Sequence, residues 1–71
     1  MPKLQSVSGG QMLKVALRLG FEVRRQKGSH VILRKDGRLL VIPGHAALKK
    51  GTLLQILKVM EITKEQLGEM L

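Results

Sequence analysis

The sequence predicts an α+β fold in the order helix, three strands, helix, short helix. Three observations carry it. A capped stretch with apolar residues at helical spacing comes first, short β-rich segments separated by two-residue turns fill the middle, and a second helical stripe follows. The 71 residues, with no Cys among them, are read as one domain over residues 1–71. Its core must be small, and neither a disulfide nor a thiolate metal site can support it.

The first helix starts at Ser8. Ser8-Gly9-Gly10-Gln11 has the S-x-x-Q form of a capping box, and Val7 and Met12 are spaced for a hydrophobic staple. Met12, Leu13, Ala16, Leu17 and Leu19 supply its apolar stripe, with Lys14 and Arg18 beside it. Gly20 is expected just past the helix end, where a positive φ is tolerated. Residues 21–26 alternate apolar and polar, and Lys27-Gly28 reads as a turn. Residues 29–35 are rich in β-branched side chains, and Asp36-Gly37 predicts a type I′ hairpin. Residues 38–42 form the third strand, stopped by Pro43-Gly44. Leu53, Ile56, Leu57 and Met60 fall at helical spacing, with Thr52 and Gln55 expected as the cap. Thr63 and Gln66 repeat the capping pattern before Leu67, Met70 and Leu71.

Consecutive, tightly linked strands make an antiparallel meander, and two apolar helices are buried most economically on one of its faces. The other face stays open. If Val31 and Leu33 face the helices, His30 and Arg34 lie on the open face. The same alternation sends Phe21 and Val23 inward and Glu22 and Arg24 outward. The third strand is apolar on both sides, so the open face also carries either Leu39 and Val41 or Leu40 and Ile42. An apolar patch ringed by Arg and Lys suits a protein partner as well as RNA.

Charge narrows the partner. The formal net charge is +8, and it is uneven. Residues 1–50 hold eleven Lys and Arg, Lys3 among them, against Glu22 and Asp36; residues 51–71 hold Lys58 and Lys64 against Glu61, Glu65 and Glu69. The excess is densest between Arg24 and Arg38, which predicts a polyanionic partner. One aromatic residue, Phe21, argues against modules that stack bases on aromatic platforms. No apolar run reaches membrane-spanning length, no signal-peptide pattern is present, and neither GxGxxG nor GxxxxGK[ST] occurs. No membrane partner, no metal and no organic cofactor are therefore expected, and a cytoplasmic location is.

The segment Lys27-Gly28-Ser29-His30 is the sharpest chemical feature. Histidine is the side chain whose ordinary pKa, about 6.5, suits proton transfer near neutrality. Here His30 can take the proton of a ribose 2′-OH, so that the 2′-oxygen attacks the adjacent phosphorus, or it can give a proton to the leaving 5′-oxygen. Gly28 lets a backbone approach a phosphate closely. Lys27, Arg34 and Lys35 can stabilise the developing negative charge, and Arg24 and Arg25 extend a binding track. The plainer reading of a lone strand histidine among cations is a solvated side chain. His45, after Pro43-Gly44, is either a second proton-transfer group or a loop hydrogen-bonding residue.

The ordered run Ser8-Gly9, Gly20-Phe21, Gly28-Ser29-His30, Val41-Ile42-Pro43-Gly44-His45, Gly51-Thr52-Leu53 and Ile56-Leu57 resembles the HicA toxins of type II toxin–antitoxin systems. Their pattern is roughly S-G, G-[WF], G-S-H, V-P-x-H, G-T-L and I-L. The resemblance spans about residues 6–68. It implies a double-stranded-RNA-binding-domain-like α-β-β-β-α fold and a small endoribonuclease that cleaves mRNA. It also implies an essential histidine, at His30 in this chain, with Gly28 and Ser29 as its setting, and a HicB-like antitoxin that covers the site. His45 matches the later family histidine. Phe21 replaces a frequent Trp, and Gln11 a frequent acid at the third helical position.

The expectation is a metal-independent mRNA-cleaving toxin. Its first rival is a non-catalytic RNA-binding module of the same fold, and its second is an interaction protein whose basic face docks an acidic partner.

Overall fold

The computed structural model describes residues 6–71; Lys3, counted above in the basic half, and the chain start lie outside them. Helix α1 (Gly9–Arg18) is followed by strands β1 (Glu22–Lys27), β2 (His30–Lys35) and β3 (Arg38–Pro43), then α2 (Lys50–Met60) and α3 (Lys64–Met70). The strands form one antiparallel sheet in the order β1-β2-β3. This is the α-β-β-β-α order, compatible with the double-stranded-RNA-binding-domain-like arrangement.

Local chemistry explains the element ends. Ser8 accepts from the Gln11 amide at 3.1 Å, and the Gln11 side chain accepts from the Ser8 amide at 2.9 Å. Thr63 and Gln66 repeat the reciprocal pair at the start of α3. Each box satisfies two amides that a helix start leaves without partners. At the other end of α1, Phe21 N–H donates to Ala16 O and Gly20 N–H to Leu17 O, while Gly20 has φ +97°. That is a Schellman closure, and it delivers Phe21 into the core. Asp36 and Gly37, at φ 49° and 80°, make the β2–β3 turn with both residues left-handed, as a type I′ hairpin requires.

The core lies between one sheet face and the helices. Leu33, Leu40 and Ile42 meet Met12, Val15 and Ala16 of α1 and Leu53, Ile56, Leu57 and Met60 of α2, with Val7, Phe21 and Leu67 closing the edges. No charged or polar side chain of the described residues is buried.

Five expectations need correction. Leu17 is 47% exposed, and Val15 takes its place in the α1 stripe. Thr52 does not cap α2: the helix starts two residues earlier, Lys49 stands at its N-cap, and no side chain bonds there. The β1–β2 turn is Gly28-Ser29, since Lys27 is already paired with His30. Only Gly28 of that turn has a positive φ, +59°, the pattern of a II′ turn. β3 runs on through Pro43, which is tolerated because β3 is an edge strand.

The fifth correction matters most for the open face. β1 carries a bulge between Val23 and Arg25, with Arg24 as the extra residue. Simple alternation sends Arg25 toward the helices. Instead Arg25 pairs with Ile32, Gln26 with Val31 and Lys27 with His30. Directly opposed residues share a face, so Arg25 and Lys27 stand beside His30. Val23 pairs with Leu33 on the helix side, yet at the sheet edge it stays 48% exposed.

Candidate nucleic-acid interface and active site

The register assembles the open face. β1 contributes Glu22, Arg25 and Lys27; β2 contributes His30, Ile32 and Arg34; β3 contributes Leu39, Val41 and Pro43. The third strand is thus resolved: Leu40 and Ile42 are buried, and Leu39 and Val41 face outward. A basic lane along β1 and β2 runs beside an apolar lane along β3.

At one end of the lane lies the 27–30 corner. Lys27 and His30 face each other across the Gly28-Ser29 turn, and both are exposed. Facing Cβ atoms stand ~5 Å apart, so the lysine ammonium and the imidazole can reach one phosphate group. The turn is tied to the exit of β3, because Gly44 N–H donates to Ser29 O at 2.6 Å. The next residue, His45, gives its carbonyl to Gly9 N–H at 2.9 Å, which satisfies one of the free amides at the start of α1. One corner therefore gathers the G-S-H turn, the His45 loop and the N-terminus of α1. The side chain of His45 is exposed, so its backbone does the structural task and its imidazole stays available.

Two glycines hold that corner together, in packing roles that no local sequence pattern predicts. A Cβ on Gly9 would lie 2.0 Å from Pro43 O, and one on Gly44 would lie 2.8 Å from Ser29 O. No larger side chain fits either place without moving backbone. Gln26 adds a bond from Nε2 to Gly28 O at 3.4 Å. The only sequence hint of these roles is that both glycines sit beside a cap or a strand stop.

The other candidates lie further along the lane. Arg25 stands one step from Lys27 on the same face, opposite Ile32. Arg34 lies between Glu22 and Leu39 at the far end. Arg24, the bulge residue, joins Glu22 and Arg34 in lining a hollow there. Lys35 is not brought to His30. It alternates onto the helix side, where its ammonium donates to Leu19 O at the end of α1 and lies 5.8 Å from the Phe21 ring centroid. A cation there meets the negative end of the helix dipole. Arg38, its partner in β3, forms an ion pair with Glu61 at 2.7 Å.

Among the described residues no group of three His, Cys, Asp or Glu side chains is placed to hold a metal ion, and no helix is long and apolar enough to cross a membrane.

A family profile described as "HicA toxin of bacterial toxin-antitoxin" matches residues 9–62, from the first helical residue to just past α2. The chain belongs to the HicA toxin family. It is a toxin of a toxin–antitoxin system, whose general activity is that of a ribonuclease and whose general partners are RNA and a cognate antitoxin. No curated protein sequence matches the chain. The matched span contains all three strands, the G-S-H turn and the His45 loop, so every element of the corner lies inside the family region.

Proposed function

We propose that this HicA toxin cleaves mRNA by a metal-independent transesterification centred on His30, and that a HicB-like antitoxin silences it. The observation that carries the reading is the facing pair of Lys27 and His30 on an exposed sheet face inside the family region. His30 takes the proton of a ribose 2′-OH. The 2′-oxygen forms a bond to the adjacent phosphorus, the bond from phosphorus to the 5′-oxygen breaks, and a 2′,3′-cyclic phosphate remains. Lys27 stabilises the extra negative charge of the phosphorane. The departing 5′-oxygen needs a proton, and His45, whose loop begins opposite His30 at Pro43, supplies it directly or through water. Gly28 and Ser29 keep the turn small enough for a phosphate to approach. Arg24, Arg25 and Arg34 hold the flanking backbone.

The apolar lane supports the antitoxin part. Leu39 and Val41 are 61% and 42% exposed on the face that carries the cations. A protein that buries these side chains and brings carboxylates to Arg25 and Lys27 covers His30 at the same time.

The test is incubation of purified protein with labelled mRNA in EDTA, beside His30→Ala. The wild type should give fragments ending in a cyclic phosphate. His30→Ala should lose roughly 10²–10⁴-fold in rate, as expected for a proton-transfer group, while its melting temperature and RNA retention stay unchanged. Cleavage by the variant at the wild-type rate overturns the role of His30. Intact RNA with a mobility shift in both lanes replaces the enzyme by a binding module, and intact RNA without a shift leaves only the protein-partner role.

A further inference from the structure

A hollow at the far end of the basic lane takes no part in the proton transfers above, although Arg24 and Arg34 on its rim hold the flanking backbone. It encloses about 320 Å³ and is lined by Gly20, Glu22, Arg24, Arg34, Lys35 and Asp36. Residues 1–50 hold only two carboxylates, Glu22 and Asp36, and both stand here. The fold accounts for Asp36, whose φ of 49° makes the tight turn with Gly37. Glu22 stands opposite Arg34 in the register but makes no ion pair with it among the described residues. Glu22 is exposed, opens an edge strand, and takes no part in the Arg38–Glu61 ion pair found among the described residues.

A carboxylate is a poor lining for a phosphate site. It carries the same charge and accepts hydrogen bonds without donating any. It is a good partner for a nucleobase edge that donates. Its two oxygens match two neighbouring donors, and the Watson–Crick edge of guanine presents such a pair, N1–H and the 2-amino group. Arginines on either side suit the same ligand, because a guanidinium plane stacks on an unstacked base and its N–H groups hold the adjoining phosphate.

We infer that this hollow is a base-reading subsite for RNA, in which Glu22 accepts from the Watson–Crick edge of an unstacked guanine held between Arg24 and Arg34. The inference rests on the chain acting on RNA. Glu22 then determines specificity and takes no part in the chemistry. It faces Arg34, four residues along β2 from His30. At about 3.3 Å per residue the two sites are ~13 Å apart. That is about four nucleotides of stacked strand at ~3.4 Å each, and fewer of an extended one.

The test uses oligouridine dodecamers that carry one guanosine, one inosine or one adenosine. Inosine lacks only the 2-amino group. Affinities are measured on 2′-O-methyl versions, in which the attacking hydroxyl is blocked, for wild type and Glu22→Gln. Wild type should favour guanosine over inosine and adenosine by about fivefold or more, the lower end of a bidentate base contact. Glu22→Gln should bring that ratio below about twofold on the same scale. A role in charge alone would make Glu22→Gln bind every oligonucleotide more tightly and leave the ratio where it was. An unchanged ratio, or equal wild-type affinities for guanosine and inosine, overturns the subsite. Parallel digestion of the 2′-hydroxyl oligonucleotides separates the two readings. Guanosine preference without cutting keeps the subsite and removes the ribonuclease mechanism, whereas cutting with an unchanged ratio does the reverse.

Discussion

The two edge strands flank β2 alike, yet every residue of β1 is exposed while β3 buries Leu40 and Ile42 under both main helices. β3 also ends in Pro43, whose carbonyl lies against Gly9, and leads into the loop that holds the Ser29 turn. β1 has no such anchor. It has a bulge, three cationic side chains and a pairing with β2 alone. Apolar burial is therefore concentrated on one edge of the sheet and cationic side chains on the other, with His30 between them. A small basic domain gains from that separation. Apolar burial is what holds a short chain folded, and cations resist burial, so the two demands are met by different strands.

The division between the two edges makes separate predictions for each strand. The largest effect is expected at β3. Leu40→Ala should cost ~2–5 kcal/mol, as other buried leucines do, whereas Leu39→Ala, one residue away on the outer face, should stay within ~0.5 kcal/mol of wild type. Urea unfolding of both variants measures the difference, and similar midpoints would reject the assignment of the two faces. A smaller effect is expected where β3 meets α1. Replacing a helical glycine with alanine ordinarily stabilises by ~1 kcal/mol. At Gly10, with Ser8 Oγ 3.8 Å away as its nearest neighbour, that gain should appear. At Gly9 the new Cβ meets Pro43 O, so Gly9→Ala should instead cost ~1–3 kcal/mol, and thermal melting of the two variants should move in opposite directions. The smallest change in stability is expected on β1. Arg25→Ala should leave folding within ~0.5 kcal/mol of wild type but lower the salt dependence of RNA affinity by about 0.7 in log–log slope, one phosphate contact on a single strand. Gln26→Ala, on the helix side of the sheet, should leave that slope alone. Equal slopes for the two variants would mean that the bulge does not set which side chains meet RNA.

Much of this architecture is legible in short stretches of sequence, because the interactions that set it are local. The capping boxes at Ser8 and Thr63, the Schellman closure at Gly20 and the Asp36-Gly37 turn each involve residues within a few positions of one another. Position 30 stands out by residue type and its G-S-H setting. The features that short stretches do not show depend on distant partners. Thr52 has the composition of a cap, but α2 begins at Lys50, two positions before it. Alternation already sets Lys35 on the face of Val31 and Leu33, and what depends on distant partners is its bond to Leu19 O and its place beside the Phe21 ring.

The order of elements, the concentration of positive charge in the first fifty residues and the placing of one histidine beside a glycine turn are all readable from the chain alone. Those follow from periodicity, capping and residue chemistry. Tertiary structure alone decided which cations share a face with His30. The bulge at Arg24 shifts the side-chain phase of β1 by one residue, so Arg25 and Lys27 join the open face and Gln26 leaves it. Alternation in a single strand cannot reveal that shift, because a bulge exists only as a mismatch between two strands. The same holds for β3, apolar on both sides, where burial against α1 and α2 rather than composition chose Leu40 and Ile42 for the core and left Leu39 and Val41 exposed.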